Sequence, residues 1–305
     1  RDTDRSRGLG DVYKRQVITQ FRGRGDEIHV YPLSFSEYVP AYQGSVDEAW
    51  DDYLIYGGMP LILTMAEPED KAAYLNSLFQ KVYISDIVER HDVRNKVELD
   101  ELVDILASAI GSYTNQSKLV RTFKSVKGKT ISDKTIKNYI DYLIDSFLIS
   151  KAVRYDIKGK KYIGSPSKYY FEDVGLRNAR LGFRQVEQTH LMENIIYNEL
   201  RIRGYHVDVG VVEYYGVNGE GKRGKKQLEV DFVATKGSEK HYIQSAFTLP
   251  TADKVDQEQR SLLHIPDSFR KIVVVGDNIK VRRDENGIIT IGLRNFLLDE
   301  DSLRL

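Results

Sequence analysis

Cysteine is absent from the 305-residue chain, which removes disulfides, thiol nucleophiles and thiolate-bound zinc in one step. Long apolar runs are absent too. Stretches such as Pro60–Leu63 and Ile272–Val275 fall far short of the roughly 18 residues a membrane helix needs, and no signal-peptide core is visible. A cytoplasmic protein with no membrane partner is expected. Histidine is scarce: His29, His91, His190, His206, His241 and His264 show no ligand spacing, so packing or surface roles are expected for them. Against these absences stand 41% hydrophobic residues, enough for real cores and too many for disorder over the whole length.

Net charge is also missing, but by cancellation. The chain has 45 Lys+Arg and 45 Asp+Glu, yet residues 41–111 carry 5 basic and 14 acidic side chains, while residues 112–160 carry 11 and 4. Blocks of this size predict separate modules, and the basic one is where a polyanion would be sought. Solvated helix faces would give the same pattern.

Residues 1–16 begin with Arg1, carry dense charge and have no apolar periodicity. They resemble translated sequencing-adapter read-through, so the native sequence is expected to start near Val17. Residues 17–40 then hold a short extended run before Pro32. Ser34 with Glu37 three residues later forms a capping-box pattern. Amphipathic helices are predicted at Asp47–Tyr56, stopped by Gly57-Gly58, at Pro68–Arg90 and at Glu98–Ile110. Residues 112–163 read as helix, turn, helix and a two-stranded wing, the order of a winged helix. Lys134 and Lys137 fall near the start of its second helix, and Lys158, Lys160 and Lys161 at the wing tip. These five are the candidate DNA contacts, although such modules also serve protein partners. From residue 164 to 305 the rhythm becomes strand, helix and four or five further strands, a mixed-sheet α/β domain.

Two apparent phosphate loops fail on inspection. Gly219–Lys226 has Lys226 where a magnesium-holding Ser or Thr belongs, and it joins two strands instead of a strand and a helix. Gly128-Lys129-Thr130 lacks its leading glycine, Phe123 standing there. One arrangement has catalytic logic. Glu193 lies on a helix, Asp231 on the strand LEVDFVAT, and HYIQSAF follows as the next strand. This order resembles the PD-(D/E)XK nuclease core, in which two carboxylates hold Mg²⁺ and a lysine on the third element activates water. Here that element reads Gln244-Ser245-Ala246, an amide and a methyl in place of the acid and the ammonium. Glu193, Asp231 and Gln244 thus form a degenerate candidate catalytic site: any metal held by Glu193 and Asp231 is expected to be bound weakly, and nuclease activity is not expected.

The strings GRGDEIHVYPLSFSEYV, YLIYGGMP, KYYFEDVGLRNARLGF, and MENIIYNELRIRGYHVDVG with LEVDFVA together resemble predicted AAA-type ATPases of bacteria and archaea that end in a PD-(D/E)XK-like domain of unknown function. The resemblance runs from about Phe21 to Leu305. It implies the end of an ATPase core at 17–40, an acidic helical lid at 41–111, a winged helix at 112–163 and a restriction-endonuclease-like domain at 164–305. It also implies ATP and Mg²⁺ as cofactors of the intact parent, and a role for Arg22 or Arg24 near a nucleotide phosphate. Walker A and Walker B are not in this sequence. The chain is therefore expected neither to hydrolyse ATP nor to bind it tightly, and DNA or another protein is the expected partner.

Overall fold

The computed structural model describes residues 28–217 and 223–304. The chain divides at Tyr31/Pro32 into two units; of the first, only 28–31 are described, and they hold no helix or strand. The second unit begins with the short helix α1, Phe35–Tyr38, set by the predicted capping box: Glu37 N donates to Ser34 Oγ at 3.3 Å and Ser34 N to Glu37 Oε2 at 2.9 Å. Helix α2, Val46–Tyr56, repeats the device with Ser45 and Glu48 and stops at Gly57. The run read as one helix over Pro68–Arg90 is α3, Pro68–Ser77, and α4, Ser85–His91, joined by a π-helical segment Leu78–Ile84. Helix α5, Lys96–Ser108, buries Leu99, Leu102, Val103 and Leu106 on one face.

Helices α6, Gln116–Lys127, and α7, Asp133–Asp145, follow, then strands β1, Ile149–Asp156, and β2, Lys161–Phe171. Gly128 is the left-handed cap of α6, which accounts for it without a phosphate. β2 runs straight through the boundary expected at 163/164, because the wing strand and the apolar run Lys168–Phe171 are one strand. Helices α8, Val174–Arg180, and α9, Gln188–Ile202, lead into the antiparallel meander β3, His206–Val217, β4, Arg223–Lys236, and β5, Glu239–Ala246. Helix α10, Ala252–Leu263, crosses over to β6, Arg270–Val275, parallel to β5. β7, Arg282–Arg283, β8, Ile289–Gly292, and α11, Leu293–Leu298, complete the described chain.

The eight strands of the described residues form one mixed sheet in the order β2-β1-β3-β4-β5-β6-β8-β7. β1 joins β3 in parallel, with Arg154 opposite Val209 and Asp156 opposite Val211. The strands expected to form a wing and those expected in the α/β domain therefore share a single backbone ladder. The fold is α/β with a helical N-terminal part, as the sequence predicts. Apolar side chains cover both faces of the sheet. On one face Phe232, Ile243, Ile272 and Val274 pack with Ile196 and Leu200 of α9. On the other, Val230, Val233, Tyr242 and Val273 pack with Leu262 of α10. Burial on both sides explains why β6 reads as a continuous Ile-Val-Val-Val run instead of alternating.

One irregularity decides where the polar groups go. Asp208 of β3 pairs with Val233 of β4, and Gly210 pairs with Val230. Val209 thus faces two residues, Asp231 and Phe232, so β4 carries a bulge with one extra residue. The bulge puts both side chains on the α9 face.

Candidate functional site

Helix α9 is held against β2 by asparagine side chains acting as backbone mimics. Asn194, fully buried, accepts from Phe171 N at 2.8 Å and donates to Phe171 O at 2.7 Å, while Asn198 donates to the carbonyls of Phe171 and Glu172 at 3.0 Å. This docking sets Glu193, one residue earlier, over Lys168 and Tyr170 of β2. From the other side, Glu229 and the bulged Asp231 of β4 approach the same point.

The result is an ammonium enclosed by carboxylates. Lys168 Nζ lies 2.9 Å from Glu193 Oε1, 2.6 Å from Glu229 Oε1 and 3.9 Å from Asp231 Oδ1. Tyr170 Oη donates to Glu193 Oε1 at 2.6 Å, and Ser245 N donates to Asp231 Oδ2 at 2.8 Å. The Tyr113 ring flanks the ammonium, its centroid 5.6 Å from Nζ. Lys168 is only 4% exposed. Burial alone would lower its pKa, but Glu193, Asp231 and Glu229 outweigh that and hold it above the usual lysine range. Three acids share one base, and the site resolves the excess by keeping a proton. Burial first, then the neighbouring Glu193 charge, pushes the Asp231 carboxyl up to about 8.

This arrangement does not fit Mg²⁺. Glu193 is already engaged by an ammonium and a phenol, Lys168 occupies the point between the three carboxylates, and no group of three or more His, Cys, Asp or Glu among the described residues is arranged to hold a metal. No step through a metal follows from this geometry.

The sequence-predicted residues separate accordingly. Glu193 and Asp231 are brought together. Gln244 is not, and its assignment to the site is corrected. Phe232 of β4 pairs with Ile243 of β5 on the α9 face, so the next residue, Gln244, turns to the α10 face, where its Oε1 accepts from Ser261 Oγ at 3.3 Å. Ala246, in the expected lysine position, packs into the apolar cluster of that same face. An unbulged β4 would have set Asp231 opposite Gln244. Lys168 and Glu229 are the residues that sequence reasoning missed. The one available signal was a lysine opening the otherwise apolar, fully buried run KYYF.

Lys134 and Lys137 are exposed on the first turns of α7, and Lys160 and Lys161 are exposed at the wing tip. Lys158 is exposed beside them, its Nζ donating to Glu213 O on β3 at 2.6 Å. Helix α6 adds Lys118, Arg121, Lys124 and Lys127 and contains no acidic residue. Arg22, Arg24 and residues 1–16 lie outside the described residues. Among the described residues, no helix is long and apolar enough to cross a membrane.

Two family models match, both described as domains of unknown function: DUF8612 over residues 47–187 and DUF4143 over residues 188–296. DUF4143 is found in AAA-ATPase-associated proteins. An uncharacterized protein of Haemophilus influenzae is 34% identical over 288 residues, covering 93% of this chain and 67% of that protein. The chain belongs to the same family as this Haemophilus protein. The uncharacterized protein MJ1544 of Methanocaldococcus jannaschii is 27% identical, covering 88% of this chain and 60% of its own length. The chain thus spans about two thirds or less of these relatives. The crystal structure of protein VC1899 from Vibrio cholerae aligns over 92% of this chain and 62% of its own, at 13% identity and a TM-score of 0.29, a similarity too low to carry any inference.

Proposed function

We propose that the chain is the DNA-contacting arm of a cytoplasmic AAA-type ATPase, with a nuclease-like fold that serves binding and architecture instead of hydrolysis. ATP and Mg²⁺ belong, on this reading, to an ATPase core of the intact protein. The observation that carries the second half is the Lys168 ammonium buried among Glu193, Glu229 and Asp231, where a nuclease of this layout needs acidic ligands open to a divalent ion. Supporting the first half are the winged-helix order of elements and the exposed lysines of α7 and the wing, next to an α6 without an acid. The link to ATPases rests on the DUF4143 match.

The test is duplex binding by fluorescence anisotropy across a salt series, with Mn²⁺-dependent cleavage followed on the same DNA. Affinity should fall steeply with salt. Replacing Lys134, Lys137, Lys158 and Lys160 by Ala should flatten that dependence, by about one power of salt concentration for each lysine–phosphate pair removed. Salt-independent affinity, or cleavage that disappears in Asp231→Ala, would each replace this reading.

A further inference from the structure

Beyond the body of the sheet, β3 and β4 continue as a two-stranded arm. β1 pairs with β3 only as far as Val211, and β5 pairs with β4 only from Phe232 onwards. The five pairs from Glu213–Gln227 to Val217–Arg223 have no further strand beside them among the described residues. We propose that this arm enters the major groove of duplex DNA, with Tyr215 and Lys225 turned towards the bases. The proposal rests on the DNA-binding reading above and adds to it a groove contact from outside the helix–turn–helix.

The first observation is length. At about 3.4 Å per residue the arm is about 17 Å long, enough to cross a major groove about 12 Å wide, which admits a two-stranded ribbon.

The second observation is orientation. Paired residues share a face, so Glu213, Tyr215, Lys225 and Gln227 line one face of the arm, and Tyr214 and Lys226 the other. Helix α10 braces that other face. The Tyr214 ring lies 4.5 Å from the His264 ring and 5.7 Å from the Arg260 guanidinium. The first face is open: Tyr215 is 82% exposed, and Lys225 and Gln227 are exposed beside it. Lysines on a lone ribbon protect its edges from pairing with other chains. An exposed tyrosine, a strong strand former, works against that protection.

The third observation is charge. Glu213 is the one carboxylate on the arm, and it is occupied: Lys225 pairs with it at 2.5 Å and Gln227 Nε2 donates to it at 3.0 Å. Arg154 and Lys161 share the open face, in register with Val209 of β3 and with Asp156 of β1. Asp156 is buried and accepts from Gly159 N at 2.9 Å, and the deeper Glu229 is held by Lys168. Arg154 donates to Gln227 Oε1 at 3.2 Å, while its buried Nε has no hydrogen-bond partner. Lys158 donates to Glu213 O, so the wing turn sits at the base of the arm. Arg154, Lys161 and Lys225 thus face solvent with one carboxylate among them, a surface suited to the phosphates that flank a groove.

The test uses the whole chain and a short guanine-rich duplex. Fluorescence anisotropy gives affinity, and dimethyl sulfate reports on guanine N7, which lies in the major groove. The wild-type chain should protect guanines from methylation. Tyr215→Ala should lose that protection and weaken affinity about fivefold without lowering the melting temperature. Lys225→Ala should reduce the salt slope by about one, and Glu213→Gln should tighten binding. Fully reactive guanines under bound wild-type chain would overturn the proposal, as would unchanged protection in Tyr215→Ala or an unchanged salt slope in Lys225→Ala. Binding that needs Lys134 and Lys137 but ignores Tyr215 and Lys225 would strike the arm and keep the DNA-binding reading. A wild-type chain that binds no duplex would strike both. If Tyr215→Ala does lower the melting temperature, Lys225→Ala and the wild-type protection pattern decide.

Discussion

Burying the Lys168 ammonium would cost several kcal/mol alone; Glu193, Glu229 and Asp231 supply more negative charge than it needs. The surplus falls on Asp231, whose folded pKa of about 8 lies above the ordinary 3.8. Between those values the folded chain binds more protons than the unfolded one. This group's contribution to stability is therefore greatest at low pH and declines as pH rises towards 8. One proton sets the limit at about 1.4 kcal/mol per pH unit. Asp231→Asn removes the titration and keeps an oxygen for the Ser245 N–H. The wild-type melting temperature should accordingly fall more steeply than that of Asp231→Asn between about pH 6 and about pH 8. Parallel profiles would mean that Asp231 is ionised throughout. At this scale the sequence made Glu193 and Asp231 legible through element order. It hid Lys168, which lies in the same expected 164–305 domain but on β2, outside the helix–strand–strand order that the motif follows. It also misdirected Gln244, because motif spacing assumes strict alternation and the bulge at Asp231–Phe232 breaks it.

Helix α8 clips the helical region to the sheet. Asp173 caps it, accepting from Leu176 N at 2.9 Å and from Gly58 N at 2.7 Å. Asn178 donates to the carbonyls of Leu54 and Ile55, Arg177 to Ala107 O at 2.9 Å, and Arg180 reaches Asp104 at 2.6 Å. The backbones approach so closely that a methyl at Gly175 would collide with the Tyr56 carbonyl, and one at Gly58 with the Leu33 carbonyl. Three of the strings that carry the family resemblance, LSFSEY, YLIYGGMP and EDVGLRNAR, thus pack against one another. Their individual helix stops and caps can be read from sequence. Their meeting cannot, since it joins residues such as Gly58 and Asp173 through long-range packing. Asp173→Ala leaves two buried N–H groups unpaired and should cost about 2–4 kcal/mol, read as a lower denaturant midpoint with an unchanged slope. A loss below about 0.5 kcal/mol would remove α8 from its role as the clip.

Across the described part of the second unit, the parallel β1–β3 ladder joins the strands after α7 to the rest of the sheet, so the two are expected to unfold together. Trp50, the single tryptophan, packs edge-on to Phe35 in the helical region, while far-UV dichroism weighs every helix and strand. The two signals should give coincident urea transitions; separate midpoints would show that the region around Trp50 unfolds independently of the sheet. The helix–turn–helix and the strands after it were readable from periodicity, but the shared ladder was not, because no local pattern announces which distant strand β1 will join.

That ladder has a metric consequence. Strands do not slide along their hydrogen bonds without losing register, so the interval between the α7 lysines and the Lys168 cluster is fixed. A duplex seated on α7 would place the cluster at a constant number of base pairs from the footprint, like a mark on a ruler.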